Sequence, residues 1–363
     1  MSTVTAPPAL LRVPNPPELR PNKGFQPFIE PSEQPYLFVD ACMQAWPDAD
    51  YANAHRHGVS AIAITAWRPH ATLDVALEEG MFWHLVARKN PNTLIAYTAE
   101  DIRRAKRENR VAMIIAAQGG DFIERKLHRI EAFYRLGLRI MLPSYNFANS
   151  ICGGCLDRDE IGLTRFGELV VEECNRLGLL LDGSHVSKRA TMEMMERSTQ
   201  PVIFSHSNAR ALVDTPRNAD DEQIKACAAT GGVIGLANFG PFTKPAEKAE
   251  WPSLDDFMPH VDRVAQLTGS IDHVGIGTDM SLGTYPDHTH DPWGEPVTAN
   301  PGGNYAEVVT GNVRSPQRAL RDFNCYPQVL NFVDRLLAAG YSDADVHKIL
   351  GGNFLRVFDQ TWK

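Results

Sequence analysis

The chain has 363 residues and a formal charge of −8, from 36 basic against 44 acidic side chains. That length fits one large α/β domain or two ordinary ones. The acidic balance, with no basic run or basic amphipathic helix, argues against nucleic acid and anionic membrane as partners, and no apolar stretch approaches the roughly 18 residues of a spanning helix.

Residues Met1 to Pro35 carry nine prolines and no apolar segment of the signal-peptide kind. We expect an extended arm there, wrapped on the domain or on a neighbouring subunit. Short apolar, often β-branched runs follow, each of the kind that forms a strand buried on both faces. They are Tyr36–Asp40, Ser60–Ala66, Val111–Ala116, Leu138–Leu142, Leu179–Asp182, Pro201–Phe204, Val233–Leu236 and His273–Gly277. Helical patterns lie between them: Asp74–Lys89, Ala99–Glu108, Phe122–Leu136, Thr164–Leu177, Lys188–Arg197, Asp220–Ala229 and Ser253–Leu267. Two more, near Tyr326–Ala339 and Ser342–Leu350, close the chain. Gly137, Gly178, Gly231 and Gly232 punctuate helix-to-strand joints.

Eight strands alternating with helices predict a (β/α)8 TIM-type barrel with extra C-terminal helices. A doubly wound sheet would want a Gly-rich phosphate loop after an early strand, and neither GxGxxG nor a Walker motif is present. The expected organisation is an arm over 1–35, one catalytic domain over 36–358 and a tail over 359–363.

In a barrel, reactive residues follow the C-terminal ends of strands. Cys42, Gln44, Gln118, Tyr145, His185, His206 and Asp279 all fall there. Two His and an Asp at strand ends suit a divalent cation that activates water. The first strand should supply more ligands, but Ala41-Cys42-Met43-Gln44 follows it. Cys42 is a possible zinc ligand or nucleophile, and equally a small buried strand-end residue.

Six cysteines do not form a disulfide framework at this size and are expected as free thiols of a cytoplasmic protein. Cys152-Gly153-Gly154-Cys155 has CxxC spacing without a second pair, so ordinary loop cysteines are expected. The long stretch Ser281 to Arg314 reads as a lid or subunit contact. Its His288 and His290 are flanked by turn residues rather than placed after a strand. Trp67 and Arg68, at the second strand end, are candidates for the pocket rim, Arg68 as an anion clamp.

At these residues the chain resembles the membrane (renal) dipeptidase family of metallopeptidases. The resemblance rests on ordered stretches. They include Gly162-Leu163-Thr164-Arg165-Phe166-Gly167, Asp182-Gly183-Ser184-His185-Val186-Ser187 and Pro201-Val202-Ile203-Phe204-Ser205-His206-Ser207. Further ones are Arg217-Asn218-Ala219-Asp220-Asp221, Val274-Gly275-Ile276-Gly277-Thr278-Asp279 and Ile349-Leu350-Gly351-Gly352-Asn353-Phe354. With the first strand they span 36–358.

The resemblance implies a two-zinc hydrolase ancestry and commonly a homodimer. It implies metal-binding roles for His185 and His206, a proton-accepting role for Asp279 and a substrate-carboxylate role for Arg217. The positions of the family's HxD pair hold Cys42 and Gln44, and that of the bridging Glu holds Gln118. A family His after the fourth strand is not evident; Ser144-Tyr145-Asn146 occupies that region. An amide offers one neutral oxygen where a bridging carboxylate offers two anionic ones, so a dinuclear zinc cluster is not expected.

The expected function is a dipeptidase-like hydrolase acting on a small carboxylate-bearing amide or peptide-like molecule. Its centre holds one Zn²⁺, through His185, His206, Asp279 and Gln118, or no metal. The catalytic candidates are Asp279, His185, His206 and Cys42, and the substrate-binding candidates Arg217, Tyr145, Gln118 and Gln44. One alternative is a metal-free isomerase, lyase or tautomerase of a biosynthetic pathway. Another is an inactive binding homologue.

Overall fold

The structure, a computed structural model, describes residues 36–46, 49–244, 251–283 and 319–363. The arm over 1–35, His288, His290 and nearly all of the 281–314 stretch lie outside the described residues.

The strands are β1 (Phe38–Ala45), β2 (Val59–Thr65), β3 (Thr93–Ile95), β4 (Val111–Gln118), β5 (Leu138–Leu142), β6 (Leu180–Asp182), β7 (Val202–Ile203), β8 (Ile234–Leu236), β9 (Val274–Ile276) and β10 (Met280–Leu282). All pairings between them are parallel. The order β10-β1-β2-β4-β5-β6-β7 runs on through a parallel bridge from Phe204 to Ile234 into the β8–β9 pair. β9 and β10 are two halves of one barrel strand, broken over Gly277 to Asp279. The lower half pairs with β8 and the upper half with β1, in keeping with a (β/α)8 TIM-type fold. The eight expected strands are all present. β3 is an addition that pairs with the start of β4, Thr93 opposite Val111.

Alternation along each strand sorts side chains into two cores. Phe38 and Met43 of β1, Ile62 and Ile64 of β2, and Met113 and Ile115 of β4 pack outward beneath the helices. Val39 and Ala41, Ala61 and Ala63, and Ala112, Ile114 and Ala116 fill the interior. The interior residues near the mouth on these strands are small, Ala41, Ala63, Thr65 and Ala116. They leave a cavity of about 10 Å³, lined by Ala41, Ala63 and Ala116 with Cys42, Gln118 and Ser205. That is room for about one water.

The outer helices start where capping residues satisfy their first amides. Asp220 Oδ1 accepts from Gln223 N at 3.0 Å while Gln223 Oε1 accepts from Asp220 N at 3.1 Å. The helix Asn353–Thr361 was not expected, because Gly351-Gly352 reads as a stop. In the structure Lys348–Gly352 forms a π turn that joins it to the preceding helix. Phe354, Phe358 and Trp362 of this segment belong to the barrel's interior cluster, with Trp362 stacked on Phe358 at 4.1 Å.

The pocket-rim expectation at the second strand end does not hold. Trp67 is buried in the outer core against Phe122 and Phe133, with ring centroids 5.1 and 5.2 Å away. Arg68 Nε donates to Glu79 Oε1 at 2.6 Å, and Arg68 N to Glu79 Oε2 at 2.8 Å. The guanidinium is thus engaged by a carboxylate of the helix Leu73–Lys89, which removes the case for an anion clamp.

Candidate active site

The residues singled out after the strands converge on the barrel's C-terminal mouth, and buried carboxylates below them set the backbone. Asp40 Oδ1 accepts from Cys42 N at 3.2 Å and from Thr278 N at 2.8 Å, and Thr278 Oγ1 donates to Asp40 Oδ2 at 2.5 Å. Asp182 repeats the device: its Oδ1 accepts from Ser184 N and Ser205 N, both at 2.9 Å. Each acid therefore ties the residue two positions on to the segment that follows a neighbouring strand, Thr278 after β9 and Ser205 after β7. Burial pushes the Asp40 carboxyl up to about 7, against the pull of its Thr278 and Cys42 donors. Sequence reading passed over both acids as mere strand ends. The recurring pattern of Asp, one small residue, then a residue whose N–H the Asp accepts was the available signal.

The backbone at the mouth is strained. Asn146, His185 and Asp279 have φ of +64°, +64° and +55°, in the left-handed region that non-glycine residues seldom adopt and that recurs at functional sites. Gly277 makes the break between β9 and β10 possible. A Cβ there would sit 1.8 Å from Ser205 O, so only glycine lets the eighth strand approach the sixth this closely.

One half of the site comes from the first, third and eighth barrel strands. Asp279 N donates to Cys42 O at 2.9 Å. Gln44 Nε2 donates to Asp279 Oδ1 at 2.8 Å, and Gln118 Nε2 to Cys42 Sγ at 3.3 Å. Burial first, then the nearby Asp279 charge, pushes the Cys42 thiol well above its usual range. Cys42 is therefore a protonated thiol, which weakens its case as nucleophile or thiolate ligand.

The other half comes from the fourth to sixth barrel strands. His185 and His206 are buried, with their Nε2 atoms 2.8 Å apart. His185 Nδ1 lies 2.6 Å from Asn146 Oδ1, and Tyr145 stacks on the His185 ring at 4.2 Å. His206 Nδ1 lies 2.7 Å from Ser205 Oγ, which itself donates to Asp182 Oδ2 at 2.5 Å. Ser205 Oγ has spent its proton on Asp182, so it accepts one from His206 Nδ1. Asn146 Oδ1 likewise accepts from His185 Nδ1. Both Nε2 atoms then present lone pairs to each other, an arrangement that calls for one cation, a proton or a metal ion, between them. Burial, followed by the Arg217 charge, holds both imidazoles well below the usual histidine range. Asn146 and Ser205, which set these tautomers, were not singled out from the sequence.

Arg217 is buried beside this pair. Its Nη2 donates to His206 O at 3.3 Å and its guanidinium lies 5.1 Å from the Phe242 ring centroid. Cys155 sits at the site as well, its Sγ 3.8 Å from Asn146 Oδ1. Burial raises its thiol to about 11. All six cysteines are unpaired.

The profile of the membrane dipeptidase family, peptidase family M19, matches residues 40–293. The chain belongs to this family. Its members are metallo-dependent hydrolases. The chain is 28% identical over 277 residues to the dipeptidase verJ of Clonostachys rogersoniana, across 76% of this chain and 62% of the relative. It is 27% identical over 288 residues to an uncharacterized Klebsiella pneumoniae protein in the pqqA 5′ region, across 77% of this chain and 93% of that protein. Its fold superposes on an amidohydrolase from Pseudomonas aeruginosa with a TM-score of 0.78 at 26% identity, covering 92% of this chain and 99% of the other.

Against that family background the donor set is poor. Among the described residues, no three His, Cys, Asp or Glu side chains gather as a possible metal site. Gln44 and Gln118 turn amide donors toward Asp279 and Cys42, where anionic ligands would be needed. The residues present do not fit a two-metal centre.

Proposed function

We propose that this M19 member acts on a small, carboxylate-bearing amide of peptide-like chemistry, with a centre holding at most one cation. The observation that carries this reading is the Gln44–Asp279 pair. It keeps one carboxylate at a mouth where two amides, Gln44 and Gln118, stand in the other acidic positions. Asp279 is then the proton acceptor of the reaction. The amide proton from Gln44 orients that carboxylate. Arg217 holds the substrate carboxylate, Tyr145 and Gln118 line the binding surface, and Cys42 donates a hydrogen bond rather than attacking.

Hydrolysis with Asp279 taking a proton from water is the family-like outcome. The meagre donor set favours a second reading, a metal-independent isomerisation or elimination in which Asp279 abstracts a proton from carbon. We place the protein in the cytoplasm as a homodimer. Among the described residues, no helix is long and apolar enough to cross a membrane.

A panel of N-acyl amino acids and dipeptides of both chiralities, each with its methyl ester, tests the reading. Mass spectrometry would follow both cleavage and change without cleavage. We expect turnover of at least one free acid and loss of that turnover in its ester. Turnover of esters and acids alike would contradict the carboxylate requirement, and binding of acids without any turnover would favour an inactive binding homologue.

A further inference from the structure

A histidine–carboxylate pair outside the residues discussed so far stands at the same mouth. His70 lies in the loop after β2, with its Nδ1 3.6 Å from Asp121 Oδ2. Asn149 Nδ2 donates to the same Asp121 oxygen at 3.2 Å, so the carboxylate is anchored from a second side. Both side chains are about one quarter exposed, at 25% and 26%. Like Asn146, His185 and Asp279, His70 has a left-handed backbone, with φ of +63°.

The pair converges with the known wall of the site over one residue. A Cβ at Gly119 would lie 3.3 Å from Asp121 Oδ2, 3.7 Å from His70 N and 3.9 Å from Tyr145 Cβ. Gly119 directly follows Gln118. The His70 ring meets Tyr145 edge-on at 6.1 Å, and Tyr145 in turn stacks on His185. His70 Nε2 is buried and has no hydrogen-bond partner. A polar atom left unsatisfied in the interior is costly, so a histidine serving only to hold a loop would be expected to pair both nitrogens.

We propose that His70 and Asp121 form a subsite for the amino end of the substrate. The Asp121 carboxylate draws the imidazole proton to Nδ1, which leaves a lone pair on Nε2. A lone pair backed by a carboxylate suits an N–H donor and best an ammonium. Arg217 presents the opposite charge for a carboxylate. The two together select a molecule carrying an amine at one end and an acid at the other. This rests on the reading of Arg217 given under Proposed function.

Calorimetric titration of the full chain with glycylglycine and with N-acetylglycine tests the proposal, since both carry the carboxylate and only the first carries a free amine. We expect glycylglycine to bind about tenfold tighter, the scale set by one hydrogen bond to a charged group. His70→Phe should bring its affinity down to that of N-acetylglycine. Asp121→Asn should do the same and serves as a second variant should the first fail to fold. Equal affinities in the wild type, no binding of glycylglycine, or a preference retained in Asp121→Asn would overturn the subsite. If Arg217→Met leaves both affinities unchanged while the amine preference persists, the carboxylate reading fails and the subsite stands.

Discussion

Asp279 and Cys42 are joined by a backbone hydrogen bond at the barrel's mouth and differ in what their surroundings permit. Asp279 receives an amide proton on one oxygen, and its strained backbone fixes its direction. Asp279→Asn keeps the shape and removes the basicity. Turnover of any substrate found should fall by about 10²-fold or more, with binding little changed. Full activity would reduce Asp279 to a partner of Gln44. Cys42 is buried, and its thiol is held well above the usual range. We expect iodoacetamide at pH 8 to leave Cys42 unmodified in the native protein and to modify it after unfolding in urea. Mass mapping that finds Cys42 alkylated in the folded chain would restore it as a candidate nucleophile. At this scale the sequence showed which residues stand at strand ends. It did not show the partners that set their chemistry. Asn146 and Ser205 fix histidine tautomers through contacts with residues 39 positions away and immediately adjacent, and neither has a distinctive local pattern.

The elements carry the site by holding loops against one another, and one buried histidine does this with a measurable pH signature. His260, on the helix Leu254–Thr268, accepts from Ala209 N at 3.1 Å and lies 3.1 Å from Thr243 O through Nε2. It thereby ties the loop after His206 to the segment before the helix. Burial lowers its imidazole to about 4. The folded state keeps it neutral, whereas the unfolded chain binds a proton below about 6.5. Its contribution is therefore fully present above pH 6.5 and is lost as pH falls toward 4. Between pH 7.5 and 5 this amounts to roughly 2 kcal/mol. Urea melts of His260→Gln should show a stability that depends less on pH over that window. An unchanged pH slope would mean that His260 is protonated in the fold. The eight barrel strands were legible because each is a continuous apolar run. β3 (Thr93–Ile95) and β10 (Met280–Leu282) fall outside those runs and were not expected. The helix Asn353–Thr361 was hidden by the two glycines of its π turn.

Across the whole molecule, the family was legible because its motifs recur in order along the chain, and the matched span 40–293 contains every site residue discussed. Chemistry is harder to read at this scale, since the fold is shared while the ligand positions are altered. On the proposed reading, Cys42, Gln44 and Gln118 are the side chains that keep this mouth from holding two cations. Replacing them together, as Cys42→His, Gln44→Asp and Gln118→Glu, restores two carboxylates and an imidazole on an otherwise unchanged barrel. Zinc titration of that variant should reach about two ions per chain. Failure to bind more than the wild type would show that the fold itself has drifted from a metal-binding geometry. The most direct test of the account is the metal content of the wild-type protein, purified without chelator and measured by plasma mass spectrometry. We predict one divalent ion per chain or none. A stoichiometry near two, with anomalous scattering placing both ions among Gln44, Gln118, His185 and His206, would contradict it.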